Sequence, residues 1–217
     1  MPSVRTAMRH PKEALLYVLL GKAEYYRVLE WRRPGTRHTC PDAKQVSLPF
    51  AAHMMKNTDI HEHLLTLYML SVESKSRTIV ELGTRSGEST IPLLFAAKRT
   101  GGKVFSYDID ECVEAKEAVA SSGLKEYWQF TQSDDLKVEW DRPIDHVFID
   151  TSHTYEQTTK ELWKFEPHVR HGGVITMHDS VSYPAVREAT TSYLKGRDDL
   201  TLYEYVNNNG LLVVFKT

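Results

Sequence analysis

Four side chains have the types and spacing for chemistry. In "VFIDTSHTY" Asp150 closes an apolar run and His153 follows three residues later; in "VITMHDS" His178 and Asp179 close a second run. If the two runs are neighbouring strands, all four groups converge on one mouth. Burying two carboxylates beside an imidazole is costly without compensation, and a divalent cation removes that cost. Carboxylate oxygens with an imidazole and open positions suit Mg²⁺, Mn²⁺ or Fe²⁺ better than a closed structural zinc site, although zinc also takes histidine. Asp150, His178 and Asp179 are therefore candidate metal ligands. A cation there binds a substrate hydroxyl and lowers its pKa. His153, with Asp150 beside it, is the candidate catalytic base, since an imidazole titrates near neutral pH. His178 has a plainer reading too, because histidines at sheet ends commonly bond a backbone carbonyl.

A second constellation lies upstream. "VELGTRSGEST" runs from Val80 to Thr90 and reads E-x-G-x-x-x-G, with Glu81, Gly83 and Gly87. Counted from Gly83, Arg85 and Glu88 stand where a dinucleotide fingerprint needs its second and third glycines, so that motif fails. What remains is a turn whose glycines let backbone approach a ligand. The helix that follows offers its N-terminal N–H groups to a carboxylate or phosphate. Asp108 comes 25 residues after Gly83 and ends "VFSYD", where a carboxylate can accept from both hydroxyls of a ribose.

These groups need a scaffold. Residues 12–33 carry leucines and tyrosines at helical spacing and stop at Pro34-Gly35; 36–50 is loop-like; "TDIHEHLLTLYMLSVES" reads as a second helix capped by Thr58 or Asp59. From residue 77, short β-rich runs alternate with helical ones, and Pro92 belongs in the first turn of a helix or before its start. That alternation predicts a parallel sheet covered on both faces. The rhythm breaks at "TLYEYV" and "LLVVFK", joined by "NNNG", a tight-hairpin signature. The expected fold is α/β: a Rossmann-like, doubly wound, mostly parallel sheet ending in an antiparallel hairpin strand, preceded by N-terminal helices. Ligands bind beyond the carboxyl ends of such strands.

With Glu81, Gly83, Gly87, Asp108 and the terminal hairpin, residues 58–217 resemble the class I S-adenosylmethionine-dependent methyltransferases. The resemblance implies that the Gly83–Gly87 turn, with Thr84, passes the methionine part of S-adenosylmethionine. It places Ser86 and Ser89 near the cofactor carboxylate, Asp108 on the ribose and Asp134 of "QSDD" on the adenine amino group. "D-x-S-H-x-Y" followed by "GG-V-I-x-x-H-D" is similar to the small metal-dependent O-methyltransferases of the macrocin and cephalosporin-hydroxylase-like group. There the first Asp and an acidic pair bind Mg²⁺, and a histidine three residues on is the base. Asp150, Asp179 and His153 match those positions, whereas His178 stands where that group has an acid.

The bulk composition agrees with a soluble enzyme. The 217 residues carry a formal net charge of −2, so no strong field points to nucleic acid or an anionic membrane. Cys40 and Cys112 stand far apart, which is no disulfide framework and fits a reducing cytoplasm. No apolar run is long enough to span a bilayer. Residues 1–57 are expected to form a helical segment that acts as a lid or a subunit contact, a homo-oligomer being one way to cover the amphipathic face of 13–30. His53, His61 and His63 read as solvated or capping groups, and at most one of His61 and His63 faces the site. The expected activity is metal-assisted O-methylation of a small hydroxylated acceptor. The alternatives are a metal-independent N- or O-methyltransferase and an iron-dependent hydroxylase or oxidoreductase. Tyr183, Trp163 and Trp31 are candidate aromatic walls, and Tyr155 is expected to pack on the following helix.

Overall fold

The computed structural model describes residues 37–38 and 49–217; the expected helix over 12–33, Cys40 and Trp31 lie outside the described residues. In chain order the elements are β1 (Arg37–His38), α1 (Ala51–Met54), α2 (Leu64–Glu73), β2 (Thr78–Leu82), α3 (Thr90–Thr100), β3 (Lys103–Asp108), α4 (Val113–Ser122), β4 (Trp128–Gln132), β5 (Ile144–Ile149), α5 (Tyr155–Phe165), β6 (Val169–His178), α6 (Pro184–Tyr193), β7 (Leu200–Tyr205) and β8 (Leu211–Lys216). Among the described residues the strands form one eight-stranded sheet in the order β1-β7-β8-β6-β5-β2-β3-β4. All neighbours are parallel except β6 with β8 and β8 with β7. The strand order reverses between β2 and its neighbours β3 and β5, which is where such sheets bind ligands.

Successive residues of a strand face opposite sides, and β2 shows it. Ile79 joins the layer of α2 and α3, with Leu67, Leu93 and Leu94, while Val80 joins the layer of α5 and α6, with Leu162, Phe165 and Val186. Each such fully buried aliphatic side chain contributes roughly 1.5–3 kcal/mol. Helix α2 is buried from Leu64 to Ser71. It is tied to the sheet through His146 of β5, whose Nδ1 lies 2.7 Å from Ser71 Oγ and whose Nε2 lies 2.8 Å from Thr176 Oγ1. Complete burial pushes the His146 pKa down to about 3, so the ring is neutral.

Three local expectations change. Arg37–His38, expected as loop, pairs in parallel with β7, so the hairpin is not the edge of the sheet. The helix expected from residue 58 begins as a single 3-10 turn at His61–His63 and becomes α-helical at Leu64. Neither Thr58 nor Asp59 caps it: Asp59 instead accepts both Arg85 guanidinium nitrogens, at 2.9 and 2.8 Å. Pro92 does lie in the first turn of α3, which Gly101 ends at φ 70°. The "NNNG" turn places Asn208, Asn209 and Gly210 all at positive φ, the conformation that Asn and Gly tolerate best.

Candidate active site

β5 and β6 are neighbours in parallel register, Ile149 opposite Met177. Asp150 follows the end of β5, and His178 and Asp179 fall at the end of β6. His153 Nε2 lies 3.0 Å from Asp150 Oδ1 and 3.0 Å from Asp179 Oδ2. His178 Nδ1 approaches the same two oxygens from deeper in the fold, at 3.6 and 3.5 Å. That is too long for a hydrogen bond. His178 Nδ1 and Asp179 Oδ1 are buried and have no hydrogen-bond partner. The expected convergence is therefore present, with one addition: His153 joins the carboxylates as a ligand-competent group. Asp150, His153 and Asp179 present donor atoms all within 4.8 Å of one another.

The two carboxylates bonding it hold His153 up at about 9, against the opposing effect of burial. Burial opposes charge on His178 too, but the same carboxylates more than offset it and lift its pKa to about 10. Burial likewise disfavours the Asp179 carboxylate, yet the two imidazoles hold its pKa well below the usual range. Two imidazolium charges thus sit where a cation's charge would. The backbone is strained to achieve this: His153 and Asp179 have φ of 55° and 64°, at a cost of about 1–3 kcal/mol each. Tyr183 stacks on the His153 ring at 4.5 Å and 17°. The Tyr183 N–H donates to Asp179 O at 2.8 Å, closing the turn that carries Asp179.

The glycine turn lies across the sheet reversal from this cluster. Asp108 Oδ2 accepts the N–H groups of Thr84 and Arg85 at 2.8 and 3.0 Å, and Oδ1 accepts that of Asp110 at 2.9 Å. Burial raises the Asp108 pKa, but these three donors outweigh it and leave the pKa lowered, so the group is a carboxylate. Thr84 Oγ1 is buried without a partner, and Ser86 is half-buried between the two glycines. Asp134 opens a single 3-10 turn by accepting Leu136 N–H at 3.0 Å. Ile109, next to Asp108, is 71% exposed, an apolar surface facing solvent beside the ribose candidate.

Glu81 and Ser89, both expected among the cofactor-binding residues, bond each other inside the fold. Glu81 is fully buried; its oxygens accept from Ser89 Oγ at 2.7 Å, Thr90 Oγ1 at 2.9 Å and Ser106 Oγ at 2.5 Å. Burial lifts its pKa to about 7 against the pull of those hydroxyls. This nest fastens the first turn of α3 to β2 and β3. The glycines too have an internal reason. A Cβ on Gly83, at φ +86°, would lie 1.9 Å from Asp150 O, and one on Gly87 would lie 2.9 Å from Ala115 Cβ.

The sequence does not show that His63 and the hairpin tip meet behind His178. His63 is fully buried and packs edge-on to His178 at 5.6 Å, rather than being solvated. Nothing local marks it, because its partners at Asn207 and Asn208 are 144 and 145 residues away. Tyr155, expected to pack on the following helix, is exposed, and Trp163 is exposed with its ring edge-on to Tyr193 at 5.4 Å.

The sheet order, the acid after β3 and the antiparallel β8 pairing all belong to one architecture. A family described as a methyltransferase domain matches residues 80–180, from the glycine turn through Asp179. Over those residues the chain is similar to methyltransferase domains. Its fold is shared with solved structures. A methyltransferase from Geobacter sulfurreducens is 18% identical, with TM-score 0.64, over 91% of this chain and 97% of that one. The O-methyltransferase TomG from Streptomyces achromogenes, in complex with SAM, is 19% identical, with TM-score 0.60, over 79% and 90%. An O-methyltransferase from Bacillus cereus, in complex with SAH, is 18% identical, with TM-score 0.62, over 77% and 87%. At these identities the likeness to the solved structures is one of fold. No curated protein matches the chain. Among the described residues no helix is long and apolar enough to cross a membrane.

Proposed function

We propose that this methyltransferase domain transfers the methyl group of S-adenosylmethionine to the oxygen of a small hydroxylated acceptor, assisted by a divalent cation. The observation that carries this reading is the four-donor cluster at the sheet mouth, with His178 Nδ1 and Asp179 Oδ1 buried and unpaired. Two carboxylate oxygens and two imidazole nitrogens fit Mg²⁺, Mn²⁺ or Fe²⁺. Asp150, Asp179 and His178 would hold the cation, with His153 at its open side. When bound, the cation supplies the charge that acidifies the acceptor hydroxyl and offsets both carboxylates.

His153 Nε2 is protonated while it bridges the free carboxylates, and becomes a base when their charge is engaged elsewhere. It then takes the acceptor proton as the methyl–sulfur bond breaks and the methyl–oxygen bond forms, leaving neutral S-adenosylhomocysteine. Tyr183, half-exposed and stacked on His153, fixes that ring and offers an aromatic wall to the acceptor. Asp108 would hold the ribose, and Asp134 the adenine amino group. Thr84, Ser86 and the Gly83–Gly87 backbone would pass the methionine part.

Residues 1–57 are proposed as a cover for the cofactor turn, with the homo-oligomer contact kept as an alternative, in a cytoplasmic enzyme. The cover reading is supported by contacts to the turn from this segment and just beyond it: Glu88 binds Lys56 at 2.8 Å and His53 at 3.1 Å, and Asp59 binds Arg85. Calorimetry with S-adenosylhomocysteine tests the donor site, and no heat of binding refutes it. Methyl transfer to hydroxylated acceptors should collapse with a chelator and return with Mg²⁺ or Mn²⁺. Activity indifferent to chelation would leave a metal-independent O- or N-methyltransferase. The two imidazoles with a carboxylate also suit Fe²⁺; oxygen uptake by the anaerobically iron-loaded chain would point to the hydroxylase chemistry instead.

A further inference from the structure

The hydrogen bonds behind His178 decide which of its nitrogens faces the carboxylates. His178 Nε2 lies 3.2 Å from the carbonyl oxygen of Asn208. His63 Nε2 lies 2.9 Å from Asn207 O and 3.1 Å from the same Asn208 O. A carbonyl only accepts, so both imidazoles carry a proton on Nε2. Once His178 gives up its second proton to a ligand's charge, its lone pair is then on Nδ1, the atom 3.6 and 3.5 Å from Asp150 and Asp179.

The carbonyls are themselves held. Asn208 sits at φ 44°. Its side-chain amide donates to Thr58 O at 3.1 Å and accepts the Glu62 N–H at 3.0 Å. Asn207 Nδ2 donates to Glu62 Oε2. The segment 58–63 is thereby bound to the β7–β8 turn on both sides of the carbonyl that His178 uses. His63 is fully buried within this junction. A buried imidazole costs desolvation unless its polar atoms are used, and a leucine would fill the same space without that cost.

Building on the cation reading above, we infer that His63 is a positioning residue: it pins the Asn207–Asn208 carbonyls, which orient His178 as an Nδ1 ligand. Outer partners of this kind commonly set metal affinity by 10–100-fold. The acidic loops and the glycine turn contain no member of this relay.

The test is Mn²⁺ binding to the whole chain, read by electron paramagnetic resonance of the free ion, with S-adenosylhomocysteine affinity and thermal unfolding measured alongside. His63→Leu should weaken Mn²⁺ binding about 10–100-fold and leave S-adenosylhomocysteine affinity unchanged. His63→Gln, whose amide still donates to the carbonyls, should recover most of the loss. Should His63→Leu not fold, Asn208→Gly keeps the positive φ, removes both side-chain anchors and should weaken Mn²⁺ in the same direction. Wild-type affinity in His63→Leu overturns this inference and leaves the cation reading standing. Equal weakening in His63→Leu and His63→Gln also overturns it, since packing rather than the donated bond would be responsible. A wild-type chain that binds no Mn²⁺ removes the cation reading and the inference with it.

Discussion

Gly83 is where the donor turn touches the acid loop, and replacing it by alanine measures how rigid that contact is. The new Cβ would lie 1.9 Å from Asp150 O and 2.7 Å from its carbon, at φ +86°. Both obstacles are backbone, so one of the two loops must move. Gly101 supplies the control: at φ +70° its Cβ would meet nothing within 4 Å. Gly101→Ala should cost only the left-handed backbone penalty, about 1–2 kcal/mol. Gly83→Ala adds overpacking of about 1–3 kcal/mol, for a total of roughly 2–5 kcal/mol. At about 2–4 °C per kcal/mol for a domain of this size, the control should lose several degrees of melting temperature and Gly83→Ala two to three times as much. Differential scanning calorimetry at one pH reads both. S-adenosylhomocysteine affinity should fall in Gly83→Ala alone, because the turn or Asp150 is displaced. If the two variants melt within about 0.5 kcal/mol of each other, the Asp150 loop yields freely and the argument from contact fails.

Three further predictions rest on titratable groups held by the fold. The His146 pKa falls from 6.5 to about 3 in the fold, so below pH 6.5 the unfolded chain binds a proton that the native one refuses. Its stabilising contribution is complete above that pH and is lost towards pH 3, at about 1.4 kcal/mol per pH unit. His146→Gln should flatten the urea-derived stability slope by that amount around pH 5, and an unchanged slope would count against the buried neutral ring. Glu81 shifts the other way, from 4.5 to about 7, so the native state loses stability as pH rises through that window. Glu81→Gln should be destabilised by about 1–3 kcal/mol at pH 5, where hydroxyl donors lose an acceptor, and the deficit should shrink by pH 8. A deficit that grows with pH refutes the assignment. Asp108→Asn turns an amide donor towards backbone N–H groups that now donate to Asp108. It should lose about 1–3 kcal/mol and weaken S-adenosylhomocysteine at least tenfold by calorimetry; unaltered affinity would remove Asp108 from the ribose site.

What was legible in the sequence was what neighbouring residues dictate. Strand and helix alternation, Pro92 in a first turn and the "NNNG" hairpin each express a local backbone preference, and together they name the fold. Asp150 and Asp179 were legible because a strand end is itself a position in such a sheet. What stayed hidden depends on residues far apart in the chain. His63 looks like a solvated histidine until Asn207 and Asn208 are brought to it. Glu81 looks like a cofactor contact until Ser106, 25 residues on, turns its hydroxyl towards it. Gly83 reads as room for a ligand, but its nearest constraint is Asp150 O. Arg37–His38 has no strand signature of its own and is a strand only because β7 offers a free edge.

β8 lies between β7 and β6 and pairs with both, Leu211 opposite His178 and also opposite Tyr205. Residues 211–216 leave the ribosome after every other strand and helix described here. Until they arrive, β6 ends in an open edge and His178 has no wall behind it. The nascent chain can therefore collapse its early β and α units first, yet the pocket proposed for the cation is completed only in one late step, when a long-range strand inserts. Ribosome-stalled chains halted before residue 211 should bind neither Mn²⁺ nor acceptor, so that half-made copies do no chemistry.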